Sequence, residues 1–149
     1  MKKTVIVYWS GTGNTAAMAE IVQEGIQSAG GAAELYRVDA FDASQADQYD
    51  VFVLGCPAMG QECREENEFE PLYQKLRPVL KDRAVALFGS YGWGDGEWMR
   101  QWASDCRSIG AKLVSEPLMV QGAPLTETQQ ACRMLGAAIA GFAASFHSK

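Results

Sequence analysis

The sequence predicts an α/β protein with a mostly parallel, five-stranded, doubly wound sheet between two layers of helices. Two observations carry that prediction. Short apolar runs of the kind buried on both faces of a parallel sheet alternate with segments of helical periodicity, and the first and third runs end in glycine-rich turns. The chain has 149 residues, about the size of one domain, so 1–149 is read as a single unit with a sizeable core.

Thr4 to Tyr8 is β-branched or apolar almost throughout and predicts a strand covered on both faces. From Asn14 to Ala29, Met18, Ile21, Val22 and Ile26 recur at helical spacing, and Gly30-Gly31 stops the helix. Glu34 to Val38 is a weaker strand. Asp50 to Gly55, with four consecutive large apolar residues, suits the middle of the sheet. Phe69, Leu72, Tyr73, Leu76 and Leu80 mark an amphipathic helix with Pro71 in its first turn. Arg83 to Gly89 is the next strand. Asp95 is expected to cap a helix whose inward stripe is Trp98, Trp102, Cys106 and Ile109, ended by Gly110. Leu113-Val114 and Leu118 to Val120 form an interrupted fifth strand around Pro117. Thr126-Glu127-Thr128-Gln129 has the form of a capping box opening a last helix that runs to about Phe146.

A net charge of -5 argues against polyanionic partners, so nucleic acid is not expected. No apolar run approaches the ~18 residues of a membrane span, and the start lacks the apolar stretch of a signal peptide. A cytoplasmic protein without a membrane partner is expected. Cys56, Cys63, Cys106 and Cys132 show no C-x-x-C spacing, and the one histidine, His147, stands near the end, so a zinc site is unsupported. The cysteines are read as free thiols acting as small hydrophobes. From Glu62 to Glu70 five glutamates stand against Arg64, which reads as a solvated acidic surface.

In a doubly wound sheet the ligand sits beyond the carboxyl ends of the strands, where strand order reverses. Three loops leave such ends. Ser10-Gly11-Thr12-Gly13-Asn14-Thr15 combines glycines, hydroxyls and an amide at a helix N-terminus, a phosphate cradle without a lysine. It lacks the ending of a nucleotide triphosphate P-loop but satisfies the loose G-x-G-x-x-G/A dinucleotide pattern, with Asp39 a little over 20 residues on. Its hydroxyls favour a terminal phosphate monoester over a pyrophosphate; a purely structural turn is the bland alternative. The second loop runs from Gly55 through Pro57, Ala58, Met59, Gly60, Gln61 and Glu62 to Cys63. The third is Gly89-Ser90-Tyr91-Gly92-Trp93-Gly94-Asp95-Gly96. A tryptophan between glycines is not explained by helix or strand packing, whereas a planar ligand would cover it.

Together these loops resemble those of the flavodoxins, specifically the short-chain flavodoxins of anaerobic bacteria, and the resemblance covers the whole chain. It implies a flavodoxin-like sheet of order 2-1-3-4-5, the arrangement for which flavodoxin is itself the standard example, with FMN at the switch point between the first and third strands. It further implies that Ser10, Thr12, Asn14 and Thr15, with the backbone from Gly11 through Gly13 to Thr15, hold the phosphate. Met59 and Trp93 would sandwich the ring, Glu62 would accept from flavin N3–H, and the segments Pro57 to Gln61 and Gly89 to Asp95 would lie near ring or ribityl chain. Gln61 departs from the aspartate of close relatives. A four-residue turn from Met59 to Glu62 would let the Gly60 carbonyl swing toward flavin N5. The implied function is a low-potential, monomeric electron carrier serving ferredoxin- or flavodoxin-dependent oxidoreductases. The loops hold no His, Lys or Arg before Arg64, which agrees with a carrier and offers no general acid or base. The competing readings are an NAD(P)H-dependent reductase of the same fold and a receiver domain. The receiver lacks its acidic pair at Tyr8-Trp9-Ser10 and its phosphoacceptor Asp at Gly55-Cys56.

Overall fold

The structure, a computed structural model, describes residues 3–60 and 62–145. Gln61, Phe146 and His147, which the sequence reading singled out, lie outside the described residues. Strands β1 (Thr4–Tyr8), β2 (Glu34–Arg37), β3 (Val51–Gly55), β4 (Ala84–Tyr91), β5 (Lys112–Leu113) and β6 (Leu118–Gln121) alternate with helices α1 (Asn14–Ser28), α2 (Phe69–Leu80), α3 (Glu97–Ser108) and α4 (Thr126–Ser145). The residues between β2 and β3 form two short 3-10 turns, Val38–Ala40 and Ala43–Gln48.

All strand pairs are parallel, in the order β2-β1-β3-β4-β5, as expected. The fifth strand is indeed interrupted. Lys112 and Leu113 pair with Ala84 and Val85, and after the break at Pro117, β6 resumes beside Phe88 to Tyr91. Proline cannot donate to a ladder, which accounts for the gap.

Alternate residues of each central strand point into two separate cores. Val5, Val7, Phe52, Leu54, Val85 and Leu87 face α2 and α3, where Phe69, Tyr73, Trp98 and Trp102 are almost fully buried. Ile6, Val51, Val53, Ala86 and Phe88 face α1 and α4, meeting Met18, Val22, Ile26, Leu135 and Ile139. On that side Gly25 and Gly136 bring α1 and α4 together so closely that a Cβ on either would strike the other helix's backbone. The result is the expected three layers.

Two expected helix caps are not formed. Asp95 does not cap α3; its carboxylate pairs with Arg100 at 3.1 Å, and the N-cap residue is Gly96. The last helix starts one residue earlier in the capping pattern. Leu125 donates its N–H to Thr128 Oγ1 at 2.7 Å, so the reaching hydroxyl belongs to Thr128 and not to Thr126. The Glu62–Glu70 segment also departs from a solvated surface. Glu65 is buried and accepts N–H groups of Asn67, Glu68 and Phe69 at 2.7–2.8 Å, closing the start of α2. Glu70 pairs with Arg64 at 2.7 Å, and Glu68 accepts from Trp9. Burial pushes the Glu65 carboxyl up, but the three backbone donors outweigh it and hold the group below its ordinary range.

The four cysteines are free thiols, with Cys56, Cys106 and Cys132 buried. Burial pushes the Cys132 thiol up to about 11, which suits an inert core residue. No helix among the described residues is long and apolar enough to cross a membrane.

Candidate functional site

Strand order reverses between β1 and β3, and the bond from Trp9 N–H to Gly55 O, 3.0 Å, ties the two chain exits together there. Beyond these ends lies a cleft of about 330 Å³. Trp9, Gly11, Thr12 and Asn14 line it after β1, Pro57, Ala58, Met59 and Gly60 after β3, and Ser90, Tyr91, Gly92 and Gly122 at the ends of β4 and β6. A wider concavity of about 600 Å³ between Val38–Ser44 and α2 contains none of the three loops.

The first loop enters α1 through Gly13, whose φ of 98° lies in the left-handed region that favours glycine. Ser10 Oγ accepts the N–H groups of Gly13 (3.1 Å) and Ala16 (3.2 Å), and Thr12 Oγ1 accepts that of Asn14 (3.4 Å). These hydroxyls stiffen the loop and keep their own protons available as donors. The N–H groups of Gly11, Thr12 and Thr15 have no partner among the described residues. Unpaired backbone donors, hydroxyl protons and the positive end of a helix together suit a phosphate monoester. Thr15 Oγ1 also bonds Ser90 Oγ at 2.8 Å in a fully buried contact that joins the first loop to β4. A pair of hydroxyls has two protons for one mutual bond, so one remains to donate.

In the second loop Glu62 N–H donates to Met59 O (2.9 Å), and Met59 N–H to Cys63 O (2.9 Å). The four-residue turn from Met59 to Glu62 is therefore formed, with Glu62 itself at φ 52°. Its carboxylate crosses to the start of α3, where Oε2 accepts the Trp98 N–H at 3.0 Å and caps the helix. Gly94 passes directly beneath Oε1, and a Cβ there would overlap it.

The third loop is divided. Ser90, Tyr91 and Gly92 line the cleft, whereas Trp93 is 66% exposed and does not line it. Gly89 is buried, with no room for a Cβ against the Cys56 carbonyl and Trp98. Ser10, Gly13, Thr15, Glu62, Gly89, Trp93, Gly94 and Asp95 are thus not lining residues, although each lies within one of the three loops.

Sequence reasoning missed Trp9 and Arg37. Trp9 lines the cleft, lies over Gly11, and donates Nε1–H to Glu68 Oε1 at 2.9 Å. Arg37, at the end of β2, donates to the Ser10 carbonyl at 3.1 Å. Trp9, an aromatic at a strand exit, carried a signal; Arg37 carried none, because the partners that tie it to the site, Ser10 and Glu68, are 27 and 31 residues away.

A parallel doubly wound sheet of order β2-β1-β3-β4-β5, with an anion loop and a partly apolar cleft at its switch point, has the flavodoxin-like fold. Residues 6–136 match the family model of flavodoxins. The chain is 44% identical over 135 residues to a flavodoxin of Clostridium beijerinckii, covering 91% of this chain and 97% of that one. It is 41% identical over 135 residues to a flavodoxin of Megasphaera elsdenii, covering 91% and 96%. The solution structure of two-electron reduced Megasphaera elsdenii flavodoxin superposes with a TM-score of 0.82 at 40% identity, over 93% of this chain and 98% of that one. The chain belongs to the flavodoxin family, whose members are electron carriers that bind FMN.

Proposed function

We propose that residues 1–149 form one domain acting as a monomeric cytoplasmic carrier, not as an enzyme with a substrate of its own. It passes electrons between redox enzymes of the ferredoxin- and flavodoxin-dependent kind. The observation that carries the reading is the cleft at the switch point, closed at one end by a helix N-terminus with unpaired N–H donors and walled by Met59, Ala58 and Tyr91.

FMN supplies the redox chemistry by taking up and releasing electrons one at a time. The protein's part is to hold and to tune. Ser10, Thr12, Asn14 and Thr15, with the backbone from Gly11 to Thr15, hold the phosphate through neutral donors only. Met59 and Trp93 cover the ring and exclude water from it. Glu62, already fixed by Trp98 N–H, offers its remaining lone pairs to a ring N–H and keeps a negative charge beside the ring. That charge opposes the formation of a further anion nearby and sets a low potential.

Affinities of the apoprotein for FMN, riboflavin and FAD test this. FMN is expected to bind most tightly. Equal binding of riboflavin contradicts the phosphate role of residues 10–15, and tighter binding of FAD restores the dinucleotide reading of Gly11-Thr12-Gly13.

A further inference from the structure

We propose that Arg37 is a positioning residue that sets the preference of this site for a phosphorylated flavin, acting through the peptide between Ser10 and Gly11. The proposal rests on the cleft being the FMN site.

Arg37 ends the edge strand β2, and four contacts hold its guanidinium. Nη1 donates to the Ser10 carbonyl at 3.1 Å, Nη2 to Glu68 Oε1 at 3.3 Å, and Nε lies 3.4 Å from Asp39 Oδ1. The group also lies 5.8 Å from the centre of the Trp9 ring. Trp9 is fixed in turn, since its Nε1–H donates to the same Glu68 Oε1. The indole leaves so little room at Gly11 that a Cβ there would come within 2.9 Å of Trp9 Cη2. The Ser10–Gly11 peptide is therefore gripped at both ends, by the guanidinium at its carbonyl and by the indole over its glycine.

Across a trans peptide the C=O and N–H point in opposite directions. A Ser10 carbonyl drawn onto Arg37 turns the Gly11 N–H the other way, toward the cleft that Gly11 lines, and that N–H has no partner among the described residues. A cation at the carbonyl end also polarises the peptide and makes its N–H a stronger donor. Asp39 and Glu68 together outweigh the charge of Arg37, so the geometry offers no bare attraction between Arg37 and a phosphate. It offers an aimed and polarised peptide. This device serves only a ligand with an anion at the loop, which makes it a matter of selectivity as well as affinity.

The test compares apoprotein of the parent, Arg37→Gln and Arg37→Lys, each titrated with FMN and with riboflavin by quenching of flavin fluorescence. Arg37→Gln is expected to bind FMN about tenfold more weakly, the size of one charge-assisted bond, and riboflavin within about twofold of the parent. Arg37→Lys, which keeps a cation but not the fork, should recover part of the FMN affinity. Glu68→Gln keeps an acceptor for Trp9 while freeing more of the Arg37 charge, and should raise the FMN-to-riboflavin preference. It serves as an independent variant where Arg37→Gln folds poorly. Equal losses for both flavins in Arg37→Gln, unchanged FMN binding, or a fall in preference in Glu68→Gln would each overturn the proposal. A parent that does not distinguish the two flavins overturns the reading of the site, and this assignment with it.

Discussion

Glu62 caps a helix from a distant loop: its Oε2 accepts, at 3.0 Å, the N–H of Trp98, 36 residues further along the chain in the first turn of α3. The second and third loops are thereby joined before any ligand is considered. Gly94, whose φ of 94° lies in the left-handed region that favours glycine, passes directly beneath the same carboxylate. This side chain serves the fold through a helix N-terminus that favours negative charge, and in the proposed function it also supplies the charge beside the ring.

Replacing Glu62 by Gln separates these two roles. The amide oxygen still accepts the Trp98 N–H, so stability should fall only by the helix-terminus contribution of about 0.3–1 kcal/mol. The lost charge should raise the lower of the two one-electron potentials of the FMN form by tens of millivolts, where about 59 mV is a factor of ten for one electron. Potentiometry with thermal melts checks both. An unchanged or lowered potential would refute the charge argument.

Glu65 gives a prediction about acid. Its folded pKa is depressed, so its contribution is complete above the ordinary carboxylate value of about 4.3 and is lost as pH falls through the depressed value. Glu65→Ala should cost about 1–2 kcal/mol at pH 7, as for a lost helix cap. The gap between parent and variant should begin to narrow once the pH falls below that ordinary value and should go on narrowing in stronger acid. Denaturant unfolding at pH 7 and at low pH measures it, and a gap that widens in acid contradicts the role given to the three backbone bonds.

Gly60 tests whether the turn from Met59 to Glu62 moves. Here Gly60 is not in the left-handed region, and nothing lies within 4 Å of the position its Cβ would take. Gly60→Ala should therefore fold normally and bind oxidised FMN. If rotation of the central peptide brings Gly60 to positive φ, alanine adds about 1–2 kcal/mol in that rotated form alone. The two one-electron potentials should then draw closer together. Potentials as far apart as in the parent would show that the turn does not work this way.

The central strands were legible because four buried apolar residues in a row, as in Val51 to Leu54, have few other uses. The break at Pro117 could likewise be read from one residue. Helix caps were less legible. Asp95 and Thr126 are good capping residues by type, yet Asp95 is taken by Arg100, and the donor at Trp98 is met by Glu62 from another loop. The glutamates after Glu62 looked like one solvated run because sequence does not show that Glu65 turns inward to bind three N–H groups. For the site, glycines, hydroxyls and a tryptophan between glycines, Trp93, marked three loops. What lies beneath them, the Thr15–Ser90 bond and the grip of Trp9, Arg37 and Glu68, depends on side chains brought together from distant segments.

The most direct measurement is a reductive titration of the FMN-reconstituted protein, followed by visible absorption and potentiometry. A carrier whose turn and Glu62 hold the potentials apart predicts two resolved one-electron steps and no steady oxidation of NADPH by the protein alone. A single two-electron step, with sustained NADPH turnover in the absence of any partner protein, would contradict the account.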